Sequence, residues 1–256
     1  MDTKMIVTDL DGTLLRDDKR ISERTKNTLI RCRENGIKVV FASARGGSVE
    51  RFAPDYLVDG KIRMNGAVAK IGDKIIYDCK IPFAISHPLL IACDKRGLRI
   101  IAEGCGEQRS IHFVNEHMHS AHFNKHQVLV DLSQHDYEYE KIIMVDLTLD
   151  DEEFITSVLP DELYFIMSKE VQGFGMIMHK DATKANAVHA LAKVWDISQA
   201  EIVAFGDDVN DLDMLQYAGM GIAMANALDI VKVAANHICD TNENDGVAKW
   251  LEENVL

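Results

Sequence analysis

Short apolar runs alternate with helical patterns near the start of the chain. Residues 5–8 are apolar and β-branched, which predicts a buried strand, and a helical pattern follows from Ser22. Ser22 is a suitable N-cap for that helix, and residues 35–36, Asn and Gly, are suited to end it. Residues 37–42 form a second apolar run. Strand, helix and strand in this order predict a parallel sheet with a right-handed crossover.

The C-terminal part of the chain shows the same alternation. Residues 183–195 have helical spacing, residues 202–205 predict a short buried strand, and residues 219–224 predict another. A further helix begins at Asp211. Ligands of parallel sheets collect beyond the carboxyl ends of the strands. Polar residues that directly follow these strands are therefore candidate site residues.

The middle of the chain has a different pattern. Strand-like pieces at 141–148 and 163–168 are mixed with acidic and His-rich stretches, and no acidic cluster follows a strand there. We interpret 82–178 as an inserted module and assign 1–81 and 179–256 to one core. The module contains several closely spaced histidines, which are His112, His117, His119, His122 and His126. They can bind a transition metal or a substrate phosphate, but an ordinary polar surface is the more frequent reason for such a run.

Composition and charge narrow the class of protein. The chain has 256 residues, of which 47% are hydrophobic and 27% charged, as in ordinary folded globular proteins. A net charge of −13 argues against a general nucleic-acid binder. An anionic substrate remains compatible with that charge, because a bound cation and a few Lys or Arg side chains reverse the local field.

Targeting and cysteine patterns indicate a reduced, cytoplasmic protein. The N-terminus carries acidic residues where a signal peptide needs an apolar stretch, and no run approaches the ~20 apolar residues of a membrane span. The five cysteines are widely spaced and contain no C-x-x-C pair. This spacing favours neither a zinc knuckle nor a disulfide framework.

Two acidic clusters follow predicted strands. Asp9 and Asp11 come directly after the first strand, and Asp207, Asp208 and Asp211 follow the strand at 202–205. Either cluster alone is an ordinary turn or helix cap. Together they indicate a hard divalent cation such as Mg²⁺, because carboxylates that meet at one sheet edge repel one another without it. Asp207 and Asp211 lie four apart, so one can bind the metal while the other supports it.

Two more residues complete a candidate phosphate site. Ser43 follows the second strand, where its hydroxyl and nearby amides suit phosphate oxygens, and Lys184 begins a helix with a compact positive charge. A carboxylate such as Asp9 can attack phosphorus and form an acyl phosphate. Asp11 would then protonate the leaving alkoxide and activate water. The residues thus predict hydrolysis of phosphomonoesters.

Four motifs give the sequence a family resemblance. They are D-L-D-G-T-L at 9–14, Ser43 after the second strand, Lys184, and G-D-D-V-N-D-L-D-M at 206–214, with secondary matches N-G-A at 65–67, A-M-A-N-A at 223–227 and D-G-V-A at 245–248. On these motifs the sequence resembles the haloacid dehalogenase-like phosphatases, and within them the Cof-like, type-IIB sugar-phosphatase group. Two departures, Ser-Ala-Arg at 43–45 for Thr-Gly-Arg and Ala185 for glycine, change no reacting group.

The resemblance implies an α/β fold: a Rossmann-like parallel-sheet core that carries the catalytic residues, and an inserted α/β cap that closes over the substrate and sets specificity. It also implies a role for each matching residue. Asp9 would be nucleophile and Mg²⁺ ligand, and Asp11 acid/base and a further ligand through its backbone carbonyl. Asp207 would be the third ligand, with Asp211 supporting the metal site. The candidate phosphate-binding residues are Ser43, Lys184, Arg45 and Asn210.

Several alternatives remain open at the level of sequence. The substrate can be a sugar phosphate, pyridoxal phosphate or another small phosphorylated metabolite. Transfer to another acceptor, as in a phosphotransferase or phosphomutase, uses the same motifs as hydrolysis. A signalling receiver domain also has a phospho-accepting Asp, Mg²⁺, a Ser or Thr and a Lys, but it lacks an inserted module and the late acidic cluster. The expected partners are a small metabolite and, at most, a second copy of the chain, with no nucleic acid and no membrane.

Overall fold

The structure is a computed structural model that describes residues 2–46, 49, 51–52, 54–104, 110–113, 127–129, 137–168 and 171–256, with backbone alone for 110–113 and 127–129. Its strands are β1 (Met5–Asp9), β2 (Lys38–Ala42), β3 (Gly60–Arg63), β4 (Val68–Ile71), β5 (Lys74–Asp78), β6 (Arg99–Gly104), β7 (Ser110–Phe113), β8 (Gln127–Leu129), β9 (Lys141–Val145), β10 (Leu163–Met167), β11 (Gly175–His179), β12 (Ile202–Gly206), β13 (Met220–Ala223) and β14 (His237–Ile238). Its α-helices are α1 (Glu23–Glu34), α2 (Phe83–Lys95), α3 (Leu149–Val158), α4 (Lys184–Val194), α5 (Leu212–Tyr217), α6 (Asp229–Ala234) and α7 (Gly246–Asn254).

The chain forms two compact units. The first contains Met1–Asp78 and Thr183–Leu256, and the second contains Cys79–Ala182. These bounds lie a few residues from the predicted ones at 81/82 and 178/179. The second unit is thus an insertion into the sequence of the first.

An eight-stranded sheet organises the first unit, in the order β14-β13-β12-β1-β2-β3-β4-β5. The strands from β14 to β3 are parallel, and β4 and β5 add an antiparallel end. Parallel strands with helical crossovers are the expected Rossmann-like α/β architecture, which is confirmed. The antiparallel extension was not predicted, because strands of four or five residues give little periodic signal.

Local signals explain why the elements begin and end where they do. Ser22 caps α1 by accepting a hydrogen bond from the Thr25 amide, and Asn35 ends the helix. Thr183 caps α4 in the same way, through the amide of Asn186. Both helices therefore start with a satisfied amide donor. The first residue of α4 is Lys184, a position that matters for the site described below.

The core of the first unit lies on both faces of its central strands. Every residue of β1 and β12 is buried, as parallel strands covered on both faces require. The apolar side chains of these strands pack with those of β2 and with Leu29, Leu191 and Leu251 from the helices. Dense packing of this kind fixes the strand ends, so the loops that follow them start from rigid positions.

The second unit has its own sheet and core. Its six strands lie in the order β10-β11-β9-β6-β7-β8, antiparallel except for the β7–β8 pair. Ile100 and Ile142 pack with Leu90 of α2 and Ile155 of α3 in one buried cluster. The unit is therefore an α/β module. Of the five clustered histidines, only His112 lies among the described residues, on β7.

Two sequence expectations concern cysteines and membranes. Cys32, Cys79, Cys93 and Cys239 are free thiols, and Cys105 lies outside the described residues. No helix in the described part of the chain combines the length and the apolar character that a bilayer crossing needs.

Candidate active site

The central strands bring the predicted site residues to one edge of the first sheet. In the parallel register, Asp9 at the end of β1 pairs with Ala42 of β2, and Thr8 pairs with Phe205 of β12. Ser43 and Asp207 follow directly after these two neighbouring strands. Three residues from distant parts of the sequence thus lie at the same carboxyl edge, where parallel sheets hold their ligands.

Lys184 joins the two acidic clusters. Its ammonium donates to Oδ1 of Asp9 at 2.6 Å and to Oδ1 of Asp211 at 2.5 Å, and its side chain is 0% exposed. Burial alone would lower the pKa of Lys184, but the charges of Asp211 and Asp9 outweigh it and raise that pKa. The side chain is therefore a permanently charged, buried cation between two carboxylates.

Asp211 is fixed by the turn that follows β12. Its Oδ2 accepts hydrogen bonds from the amides of Asp207 and Asp208 at 2.9 and 3.1 Å, while Oδ1 accepts from Lys184. Gly206 makes this turn possible, because a Cβ there would overlap the Asp211 side chain. Both oxygens of Asp211 are thus already engaged, which suits a carboxylate that orients its neighbours.

A candidate metal site forms where Asp9, Asp207 and Asp211 converge, with carboxylate oxygens within 4.8 Å of one another. Lys184 is the one ammonium bonded to these three carboxylates in the described part of the chain, so a formal excess of two negative charges remains. Within that part, Oδ2 of Asp9 and Oδ2 of Asp207 accept no hydrogen bond. Oxygen donors, excess charge and two open oxygens fit a hard divalent cation.

The protonation of these carboxylates reflects the same crowding. Burial raises the pKa of Asp207 to about 6, although the hydrogen bond from Thr13 at 2.6 Å opposes it. Burial also raises the pKa of Asp9 well above its usual range, against the charge of Lys184. Both raised pKa values mean that a negative charge is energetically unfavourable at this position. A divalent cation would relieve that cost.

The loop after β1 is tied to the C-terminal loops. Gly12 has φ +76°, and a Cβ on it would collide with the Asp207 carboxylate. Its carbonyl accepts a hydrogen bond from the Asn226 side chain at 2.7 Å, and Asn242 donates to the carbonyl of Leu15 at 3.0 Å. Only glycine fits this close approach in a left-handed conformation. The first acidic motif is therefore shaped by residues more than two hundred positions away.

Asp11 lies in a different environment from Asp9. Its carboxylate accepts hydrogen bonds from Arg45 at 2.6 and 2.7 Å and from Lys19 at 2.8 Å. Burial alone would raise the pKa of Asp11, but these hydrogen bonds outweigh it and lower the pKa to about 2. Its side chain does not belong to the three-carboxylate cluster. A metal role for Asp11 would thus pass through its backbone, as the family resemblance implies.

Ser43 is held against the neighbouring strand and the next loop. Its side chain is 1% exposed, and its hydroxyl oxygen accepts a hydrogen bond from the Arg45 amide at 3.1 Å. Its amide donates to the Ile62 carbonyl, and its own carbonyl accepts from the Asn65 amide. The backbone at the end of β2 is therefore rigid. This rigidity suits a group that must present a hydroxyl at a fixed position.

A left-handed turn at 64–66 links the remaining candidates. Asn65 has φ +52°, and its side-chain oxygen accepts a hydrogen bond from the Asn210 amide group at 2.9 Å. Gly66 has φ +100°, and a Cβ there would overlap the carbonyl of Thr183, directly before Lys184. The turn therefore contacts both the loop after β12 and the start of α4. It positions Asn210 and Lys184 relative to each other.

Sequence reasoning missed three residues of this site. Thr13, Lys19 and Asn65 each contact a predicted site residue, yet none was singled out for a role. Thr13 and Asn65 stand inside matching motifs, which was the available signal. Lys19 stands in no motif, and only the folded turn shows its contact with Asp11.

Comparisons with known proteins identify the family of the chain. A family model described as haloacid dehalogenase-like hydrolase matches residues 6–251. The 5-amino-6-(5-phospho-D-ribitylamino)uracil phosphatase YitU of Bacillus subtilis is 30% identical over an alignment of 266 positions, which covers 99% of this chain and 98% of the relative.

Solved structures agree as well. TM0651 from Thermotoga maritima has a TM-score of 0.85 at 26% identity, and the match covers 99% of this chain and 98% of that one. The subclass IIB sugar phosphatase BT4131 has a TM-score of 0.80 at 26% identity, covering 98% of each chain. The predicted family, fold class and enzyme class are thereby confirmed. The chain belongs to the haloacid dehalogenase-like hydrolases, in the Cof-like, type-IIB phosphatase group.

Proposed function

We propose that the chain is a Mg²⁺-dependent phosphatase that hydrolyses phosphomonoesters of small metabolites through an aspartyl-phosphate on Asp9. One observation carries the proposal: the Asp9 carboxylate lies at a strand end, bonded to a buried Lys184 and clustered with Asp207 and Asp211. An anionic nucleophile that attacks a dianionic phosphate needs such positive charge close by. Phosphatases among the relatives support the same chemistry.

Asp9 has one oxygen committed and one open. Oδ1 accepts from Lys184, while Oδ2 accepts no hydrogen bond among the described residues, so the carboxylate keeps lone pairs for the cation as well as for phosphorus. Asp9 and Asp207 would hold Mg²⁺, with the backbone carbonyl of Asp11 as a further ligand and Asp211 as support. When bound, the cation neutralises charge on the phosphate and orients it for in-line attack.

The chemical steps follow from the two carboxylates. An oxygen of Asp9 forms a bond to phosphorus while the ester O–P bond breaks. Asp11 first takes up a proton from solvent, once Arg45 has exchanged its carboxylate for the substrate phosphate and the pKa of Asp11 has risen, and it then gives that proton to the leaving alkoxide. Asp11 then takes a proton from water as the water oxygen attacks phosphorus. The acyl-phosphate O–P bond breaks, which releases inorganic phosphate and regenerates Asp9.

Four residues are proposed to bind the phosphate. Ser43 and Lys184 lie at the sheet edge with Asp9, which supports their assignment. Arg45 pairs with Asp11, and Asn210 donates to Asn65. Each of these two would exchange its present partner for a phosphate oxygen. A guanidinium suits that exchange, because it binds carboxylate and phosphate with the same fork of donors.

We propose a phosphorylated sugar or sugar alcohol as the substrate class. The relative YitU is named as the phosphatase of a phosphoribitylamino compound, and BT4131 is named as a sugar phosphatase. Both names indicate a substrate in which the phosphate is attached to a sugar or sugar alcohol. The second unit, Cys79–Ala182, is proposed to set specificity. We further propose a cytoplasmic enzyme that works as a monomer or homodimer.

The central experiment measures phosphate release from p-nitrophenyl phosphate with Mg²⁺. We expect Asp9→Asn to abolish turnover while the melting temperature stays close to that of the wild type. Asp18→Asn is the matched control, since Asp18 is an exposed carboxylate in the same loop and Asn can still accept from the Arg20 amide. Comparable turnover by Asp9→Asn and wild type would refute the nucleophile assignment.

A substrate screen then addresses specificity and reaction type. Phosphorylated sugars, sugar alcohols and pyridoxal phosphate are compared at fixed Mg²⁺. Hydrolysis predicts that phosphate is released in the same amount as the dephosphorylated product. A phosphotransferase or phosphomutase would instead give less free phosphate than product and a newly phosphorylated acceptor.

A further inference from the structure

We propose that Lys19 is a positioning residue of the active site, which keeps the Asp11 carboxylate oriented while Arg45 turns to the substrate phosphate. The inference rests on the proposed function, in which Asp11 is the acid/base group. It concerns a lysine that lies outside the sequence motifs. The argument starts from the contacts of one carboxylate.

Asp11 has two cationic partners. Oδ1 accepts from Lys19 at 2.8 Å and from a terminal nitrogen of Arg45 at 2.7 Å, and Oδ2 accepts from Nε of Arg45 at 2.6 Å. One carboxylate with two cations has a formal excess of one positive charge, in a chain whose net charge is −13. One of the cations can therefore leave for an arriving phosphate without leaving Asp11 unpaired.

The two partners differ in what else they can do. Arg45 follows the strand end that carries Ser43, and its guanidinium has the fork that phosphate oxygens accept. Lys19 has a single ammonium, and Asp11 is its one ion-pair partner among the described residues. Arg45 is thus the partner suited to exchange. Lys19 is the partner suited to stay.

The turn around Lys19 is built to return the chain to Asp11. The Lys19 amide donates to the Arg16 carbonyl at 2.8 Å, and the Arg16 amide donates to the Arg20 carbonyl at 3.0 Å. Lys19 has φ +61°, a left-handed conformation that is uncommon for a residue other than glycine. Such conformations concentrate at functional sites. Here the left-handed residue is part of the turn that brings Lys19 back to Asp11, eight positions earlier in the sequence.

Stability does not account for the contact. The Lys19 side chain is 54% exposed, and ion pairs this exposed contribute little to folding. Removal of the ammonium should therefore change the orientation of Asp11 without unfolding the protein. It also raises the pKa of Asp11, which by itself would favour the protonated acid, so a fall in kcat reports the lost orientation. This separation makes the inference testable by kinetics.

The test compares leaving groups. Lys19→Met, Lys19→Arg and the control Arg20→Met are assayed on p-nitrophenyl phosphate and on the best sugar phosphate from the screen. Arg20 lies in the same turn, and no ion pair is formed by it among the described residues. Nitrophenolate leaves as a stable anion, whereas a sugar alkoxide needs the proton of Asp11.

We expect Lys19→Met to lower kcat on the sugar phosphate roughly tenfold or more, since general acids contribute about 10²–10⁴ in rate. On p-nitrophenyl phosphate the loss should be less than about threefold, by the same reasoning. Lys19→Arg should recover most of kcat, and Arg20→Met should match the wild type. Melting temperatures should agree among all four proteins.

Two results would overturn the inference: unchanged or raised kcat of Lys19→Met on the sugar phosphate, or equal losses on both esters. Failure of the proposed function looks different, because the wild type itself would then release no phosphate from either ester. The two failures are therefore distinguishable in one set of assays.

Discussion

Replacement of Lys184 by methionine tests the electrostatic account of the site. Lys184 is 0% exposed and is bonded to Asp9 at 2.6 Å and Asp211 at 2.5 Å. Methionine keeps most of the volume, so a cavity contributes little. The substitution removes the ammonium and leaves two buried carboxylates without their shared cation. Removal of one partner of a buried ion pair costs about 3–5 kcal/mol.

The expected loss of unfolding free energy corresponds to a lower melting temperature. For a unit of this size, each kcal/mol lowers the midpoint by about 2–4 °C, so Lys184→Met should melt roughly 6–20 °C below the wild type. Lys193→Met is the control, because Lys193 is exposed in the last turn of the same helix. It should lose no more than the roughly 0.3–1 kcal/mol of a helix-dipole interaction.

The loss should depend on pH with a defined sign. In the variant, the pKa of Asp9 in the folded protein rises further above its unfolded value, because burial remains and the Lys184 charge is gone. Between those two pKa values the folded protein binds more protons than the unfolded chain, so stability falls as pH rises. The gap from the wild type should therefore be smaller at pH 5 than at pH 7.5.

Denaturant titrations at both pH values, with and without Mg²⁺, measure the difference in unfolding free energy between Lys184→Met and the wild type. Saturating Mg²⁺ should narrow the gap at pH 7.5, because it supplies positive charge to the folded state alone. A loss below about 1 kcal/mol at pH 7.5, well under the expected cost of an unpaired buried charge, would refute the electrostatic reasoning. So would a larger loss that is the same at both pH values.

Two further predictions concern the metal and the turn at 64–66. Burial raises the pKa of Asp207 to about 6, so protons compete with Mg²⁺ for this carboxylate below that pH. Mg²⁺ should therefore bind at least about fourfold more weakly at pH 5.5 than at pH 7.5, as titrations of thermal stability would show. Equal affinities at the two pH values would contradict this prediction. Gly66→Ala should displace the start of α4 and lower kcat at least about tenfold through misplacement of Lys184. Gly36→Ala is its control, because Gly36 also has positive φ but a Cβ there meets nothing within 4 Å, and equal kcat losses in both variants would show that backbone strain alone is responsible.

Elements with strong local signals could be predicted from the sequence. The caps Ser22 and Thr183 and the apolar runs of β1, β2 and β12 place those helices and strands within a residue or two of the structure. The Asp clusters were predicted to converge because parallel strands end at one edge. Their roles as nucleophile, acid and ligand stay predictions that the experiments above address.

Contacts set by distant residues could not be predicted. Lys184 was expected as a phosphate-binding cation, and its complete burial between two carboxylates follows from the packing of α4 against the sheet. The pairing of Asp11 with Lys19 depends on one left-handed turn, which no periodic pattern encodes. Similarly, the bond from Thr13 to Asp207 joins residues 194 positions apart.

The position of β1 between β2 and β12 has a consequence for synthesis. Asp9 is made among the first residues, while its neighbour strand β12 and the loop that carries Asp207 come near the end of the chain. At about 5–20 residues per second, the ribosome delivers β12 roughly 10–40 s after β1. During that interval one side of an apolar strand has no neighbour. The nucleophile therefore gains its charge environment only when translation is almost complete, so a prematurely terminated chain contains the reactive carboxylate but not the active site.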